Sequence, residues 1–195
     1  MQFIERGCNS ITIMSLDTRL GSDRTLFIQG EINEQTAAEF IKQLLVLNRE
    51  STMDPITVCI NSPGGQIKQG LLMYDAIQGS LAPLRLICTG QAYSMAAILL
   101  ASGNPRHGRF ILPNSEVMIH EPLIQGGLGG KTSSIKSISD TLIETRRKLN
   151  GILARHTGHT IDEIDEATSY DHYFTPQEAV DYGLCDQVVD FSFLI

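Results

Sequence analysis

Ile56-Thr57-Val58-Cys59-Ile60-Asn61-Ser62-Pro63-Gly64-Gly65 decides the fold class of this 195-residue chain. Its first five residues, mostly β-branched, predict a buried strand. The Asn-Ser-Pro-Gly-Gly run stops that strand sharply. Just beyond, Ile67, Gly70, Leu71, Tyr74 and Ile77 recur at helical spacing. A strand running into a helix through so short a link predicts a unit of an α/β domain.

The same alternation extends both ways. Upstream, Thr25-Leu26-Phe27-Ile28 reads as a strand closed by Gly30. Asn33 then caps a helix whose apolar stripe is Ala37, Phe40, Ile41, Leu44, Leu45 and Leu47. Downstream, Leu84 to Cys88 is a strand ended by Gly90, and Met95 to Leu100 is a helix apolar on every side. Phe110-Ile111-Leu112 and Val117-Met118-Ile119 read as short strands around Pro113-Asn114-Ser115. A long helix from about residue 133 to 156 carries Ile135, Ile138, Leu142, Leu149, Ile152 and Leu153, with Gly158 as its stop. Capping boxes open at Thr160 and Thr175, and Gln187-Val188-Val189 is a last strand. Gly126-Gly127-Leu128-Gly129-Gly130 is too glycine-rich for a regular element, and residues 1–22 show no period and read as an arm. One α/β domain with a mostly parallel sheet is the expectation.

Composition narrows the function. Apolar residues at 42% and charged residues at 19% exclude a disordered chain. A net charge of −7 gives no footprint for nucleic acid or an anionic membrane. The longest apolar run, Met95 to Ala101, is too short to cross a bilayer, and Met1 to Arg6 lacks the features of a signal peptide. Cys8, Cys59, Cys88 and Cys185 form no CxxC pair and read as reduced thiols of a cytoplasmic protein.

Three segments look unlike scaffold. In Asn61 to Gly65, adjacent glycines let backbone N–H groups face a ligand. In Gly90-Gln91-Ala92-Tyr93-Ser94-Met95-Ala96-Ala97, a serine opens the buried helix. In Val117-Met118-Ile119-His120-Glu121-Pro122, a histidine ends an apolar strand. Taken singly, each has a plain structural role: a common turn, a helix cap, a satisfied core histidine. Neither a phosphate loop, a Gly-x-Ser-x-Gly elbow nor a metal-ligand spacing is present. Together, a nucleophile, a base and a double-glycine turn are what acyl transfer requires. Spacing does not fix the orienting acid, because many Asp and Glu residues follow His120.

These segments, with Pro113-Asn114-Ser115, His156-Thr157-Gly158 and Ala179-Val180-Asp181-Tyr182-Gly183-Leu184, resemble the proteolytic subunits of Clp proteases, the ClpP family, in order from about Leu26 to Val189. The resemblance implies a ClpP/crotonase-like α/β fold of repeated β-β-α units. It implies a cytoplasmic serine endopeptidase cleaving unfolded polypeptides inside homo- or hetero-oligomeric seven-subunit rings stacked in pairs. By the resemblance, Ser94 matches the nucleophile, His120 the base and Asp171 the acid orienting it, while Gly65 and Met95 match the oxyanion-hole positions. Residues 1–22 correspond to an N-terminal arm or axial loop and 23–195 to the peptidase domain, with an inter-ring handle at about 123–157. No cofactor or metal is implied in this subunit; ATP is used by a partner AAA+ unfoldase.

Against the family pattern, Glu121 replaces a usual Gln and Tyr170 a usual Arg. Thr57 and Cys59 stand where aromatic residues usually line the unfoldase-docking pocket, so weaker docking is expected. Two other readings share these residues: a structural or regulatory ring subunit working with a paralogue, and a crotonase-type acyl-CoA enzyme.

Overall fold

The computed structural model describes residues 2–6, 11–104, 106–123 and 132–194. The segment expected to be an irregular arm holds two strands and a helix: β1 (Gln2–Arg6), β2 (Ile11–Ser15) and α1 (Leu16–Ser22). β1 and β2 pair antiparallel with each other, from Gln2↔Ser15 to Arg6↔Ile11, and stay outside the main sheet. β1 sets Gln2, Glu5 and Arg6 around only two apolar residues, so its sequence carries no alternation that marks a strand.

The main sheet begins with β3 (Thr25–Gln29). Helix α2 (Glu34–Glu50) follows, with the Asn33 side chain accepting from the Gln35 and Thr36 N–H groups. It buries Ala37, Phe40, Leu44 and Leu47, whereas Leu45, expected in the same stripe, is 52% exposed. At 100° per residue Leu45 falls outside the arc that faces the sheet. β4 (Ile56–Ser62) and α3 (Ile67–Gln78) complete the first strand–helix unit.

β5 runs from Leu84 to Tyr93, through Gly90 rather than ending there. It changes neighbours midway. Its first half pairs with β6 (Arg109–Ile111) and its second with β7 (Glu116–Ile119), all parallel. A Cβ at Gly90 would stand 2.8 Å from Asn61 Oδ1, so glycine there admits the β4 side chain. Between β5 and β6 lies α4 (Met95–Ala101), every residue of it buried, as its unbroken apolar sequence predicts. α4 packs against β4, β5, β7, α3 and the long helix α5 (Thr132–Thr157).

α5 buries Leu149, Ile152 and Leu153 near its C-terminal end, while Ile138 and Ile143 are 38% and 47% exposed. Within the expected stripe, Leu149, Ile152 and Leu153 thus face the core and Ile138 does not. The glycine-rich run at 126–130 lies outside the described residues. α6 (Ile161–Ala167) and α7 (Pro176–Asp181) both start at capping boxes, on Thr160 and Thr175. Between them β8 (His172–Phe174), which no sequence pattern indicated, pairs antiparallel with β7. β9 (Gln187–Val188) closes the order β3-β4-β5-β6-β9, with the β7–β8 pair branching from β5.

Candidate active site

Ser94 occupies the single residue between β5 and α4. Its backbone sits at φ +55°, ψ −119°, a region sparsely populated by residues other than glycine. Ser94 N–H donates to Met118 O at 2.8 Å, and Ser94 O accepts from Ala97 N–H at 3.0 Å. The hydroxyl makes no capping bond to α4. It lies instead 2.9 Å from His120 Nε2. A serine kept in a strained backbone while its side chain ignores the helix is not a cap.

His120 follows β7 directly. The β7–β8 register ends at Ile119↔His172, which sets His120 opposite Asp171. His120 Nδ1 lies 3.0 Å from Asp171 Oδ1. With the carboxylate accepting from Nδ1–H, Nε2 is left as the acceptor for the Ser94 hydroxyl. Ser94, His120 and Asp171 thus form one hydrogen-bonded chain across the ends of three adjacent strands. The imidazole is largely covered, while the Asp171 side chain is 60% exposed.

The double-glycine turn sits against the serine. A Cβ on Gly64 would meet Tyr93 O at 2.6 Å and Ser94 Cβ at 2.9 Å; one on Gly65 would meet Ile32 O at 2.3 Å. Both positions have positive φ, +88° and +149°. Close approach and backbone conformation together demand glycine. Ile32 N–H donates to Gly64 O and Gln66 N–H to Ile32 O, both at 2.8 Å, fixing the turn as a parallel bridge. Among the described residues, no acceptor engages the N–H of Gly65 or of Met95, which opens α4. Both residues line one cleft of about 590 Å³ with Ser94, His120, Met118 and Leu149.

Other sequence expectations fall differently. Glu121 points away from the imidazole; its carboxylate pairs with Arg146 at 3.1 Å, and its N–H donates to Thr168 O at 2.7 Å. Tyr170 stacks on His172 with ring centroids 5.2 Å apart. Thr57 is partly exposed, but Cys59, expected to line a docking cleft, is only 4% exposed. Parallel register sets Cys59 between Phe27 and Ile87. Burial pushes the thiols of Cys59 and Cys88 up to about 11 and that of Cys185 to about 12. They stay protonated near neutral pH and are poor rivals to Ser94 as nucleophiles. Among the described residues, no group of three or more His, Cys, Asp or Glu side chains is placed to hold a metal ion. Sequence reading missed Arg146, Asn150 and Thr168 near the site, because ordinary helix and turn residues give no signal of their tertiary partners.

A family model described as Clp protease matches residues 7–192, which takes in every residue of this site. The mostly parallel sheet with its flanking helices agrees with that family's fold. The chain belongs to the Clp protease family.

Proposed function

We propose that this Clp-type proteolytic subunit is a serine endopeptidase in which Ser94, His120 and Asp171 act as a triad. The observation that carries the reading is the continuous chain Ser94 Oγ–His120 Nε2–His120 Nδ1–Asp171 Oδ1, with bonds of 2.9 and 3.0 Å, opening on a cleft. Ser94 Oγ attacks the scissile carbonyl carbon as its proton passes to His120 Nε2. The carbonyl oxygen becomes an oxyanion, held by the N–H groups of Gly65 and Met95. Asp171 stabilises the imidazolium through Nδ1–H and keeps its tautomer. His120 then protonates the leaving amine as the C–N bond breaks, leaving an acyl-enzyme on Ser94. Water, deprotonated by His120, attacks that ester; the peptide acid departs and Oγ regains its proton.

This scheme asks for no cofactor in the subunit; ATP is consumed by a partner unfoldase. Membership of the family implies a ring-forming oligomer working with an unfoldase. The finer proposal is stacked seven-subunit rings enclosing the clefts, residues 1–22 near the axis and α5 within the inter-ring handle of about 123–157. Unfolded polypeptide is the substrate. Thr57, in place of an aromatic anchor, weakens unfoldase docking. We place the protein in the cytoplasm, which the buried free thiols of Cys59, Cys88 and Cys185 support. Among the described residues no helix is long and apolar enough to cross a membrane. No observation favours a purely structural subunit or an acyl-CoA enzyme.

A fluorophosphonate probe tests the reading. The expected result is one covalent adduct per chain on Ser94, absent in Ser94→Ala. That variant should lose several orders of magnitude in peptide cleavage. Unchanged turnover by pure Ser94→Ala would overturn it.

A further inference from the structure

One face of α5 holds both the segment that follows His120 and the segment that precedes Asp171. Arg146 and Asn150 stand one helical turn apart on that face. Arg146 Nη1 lies 3.1 Å from Glu121 Oε2. Its Nη2 donates to Asp165 O at 3.4 Å, and its Nε faces Asp165 Oδ1 at 3.8 Å. Asn150, 1% exposed, donates from Nδ2 to Asp165 Oδ1 and to Thr168 Oγ1, the latter at 3.2 Å. An amide nitrogen has two hydrogens, and both are used here. Thr168, fully buried, donates its hydroxyl to Ile164 O at 2.8 Å and accepts the Glu121 N–H at its carbonyl.

The chain on either side of the triad is therefore tied twice. Glu121, one residue after the base, is fixed by its N–H to Thr168 and by its carboxylate to Arg146. Thr168, three residues before Asp171, is fixed by its carbonyl to Glu121 and by its hydroxyl to Asn150. Neither Glu121 nor Arg146 touches the imidazole. We propose that Glu121, Arg146 and Asn150 are positioning residues, through which α5 sets His120 and Asp171 in the register that keeps Nδ1 on Oδ1 and Nε2 on Ser94 Oγ. This rests on the triad assignment above. The tie from Arg146 needs the Glu121 carboxylate, since a neutral amide forms no ion pair with a guanidinium.

The signature is a loss of rate without a loss of fold. A half-exposed ion pair contributes little to stability. Catalysis is far less tolerant, because a base misplaced by about 1 Å costs on the order of a hundredfold. Arg146→Met and Glu121→Gln should each lower kcat for a short peptide roughly tenfold, with KM within about twofold of the unmodified protein. The rate of fluorophosphonate acylation should fall by the same factor, while melting stays within a few degrees. Arg146→Lys, which keeps the charge opposite Glu121, should recover most of the lost rate. Asn150→Ala, a buried change, is read only by whether its acylation rate falls further than its melting temperature accounts for. Wild-type acylation by both Arg146→Met and Glu121→Gln overturns the proposal. So does a fall in kcat that tracks unfolding and that Arg146→Lys fails to restore. Ser94→Ala, run beside them, separates the two failures: persistent turnover in Ser94→Ala defeats the triad itself, whereas a dead Ser94→Ala with unaffected Arg146 and Glu121 variants defeats positioning alone.

Discussion

Two carboxylates lie close to His120 along or across the chain, and geometry assigns them different work. Asp171 meets Nδ1 at 3.0 Å across the β7–β8 pair. Glu121, the covalent neighbour, has its carboxylate on Arg146. Successive side chains along an extended chain point to opposite sides, so proximity in sequence separates these groups in space. Replacing Asp171 by Asn removes the anion that selects the imidazole tautomer and stabilises imidazolium. The expected loss in kcat is on the order of a thousandfold or more. Glu121→Gln leaves that carboxylate in place and acts only through position, so its cost is smaller by at least about tenfold. Steady-state cleavage of one peptide by both variants checks the ranking; a larger loss in Glu121→Gln would reverse the assignment. At this scale local pattern alone singled out Ser94 and His120, the two residues the structure sets in hydrogen-bond contact. Asp171 was named only through family resemblance, because many Asp and Glu residues follow His120 and the β7–β8 pairing that brings Asp171 to it is a tertiary outcome.

Elements were legible where their residues alone decide the outcome. α4 is apolar throughout and is buried throughout; α6 and α7 begin where Thr160 and Thr175 cap them. They were not legible where a neighbour decides. β5 passes through Gly90 because β7 offers its second half a new partner, and Ile138 and Ile143 of α5 stay out of the core. The crossing of α3 on α4 is another tertiary decision, and it bears on the proposed oxyanion site. Gly70 of α3 is buried, and a Cβ there would stand 2.1 Å from Met95 Cγ. Met95 is the residue whose N–H is proposed to hold the oxyanion. Gly70→Ala should gain about 1 kcal/mol in helix propensity. Overpacking a tight core contact costs about 1–3 kcal/mol, so the net change is destabilising or close to neutral. A melting temperature lowered by about 2–4 °C is expected for a domain of this size. Acylation should fall more than stability implies, since losing one oxyanion donor costs on the order of 10²–10³ in rate. Full acylation activity in a well-folded Gly70→Ala would show that the Met95 N–H does not depend on this crossing.

Across the whole molecule, the ends of three helices meet at one buried cation. Arg109, on β6, shares the two hydrogens of Nη1 among Ala101 O, His156 O and Gly183 O, closing α4, α5 and the turn after α7. Its Nε and Nη2 are held by the Asp186 carboxylate. This hub ties the helix that begins at Ser94 to the helix that carries Arg146 and Asn150. His156, at the end of α5, lies beside it and shares a hydrogen bond of 3.1 Å with the Tyr74 hydroxyl of α3. Burial first, and then the positive charges of Arg109 and Arg155, hold the His156 imidazole below its ordinary value of 6.5. The folded state therefore binds the proton less readily than the unfolded chain does, so protonation favours unfolding. Stability is complete above the unfolded-state value and falls as pH drops from there through the lowered native value. Glu163 and Glu178, whose carboxyls are pulled below 4.5 by hydrogen bonds from their Thr160 and Thr175 caps, act in the same direction but only in more acid solution. A mildly acid window thus separates His156 from these two carboxyls. Melting temperature should fall between pH 7.5 and pH 5.5. The fall should shrink in His156→Gln, which keeps a hydrogen-bonding partner for Tyr74 without a titrating ring. Equal pH slopes in the two proteins would remove His156 from the account and leave the Arg109 hub without a pH-sensitive neighbour among the helix ends it joins.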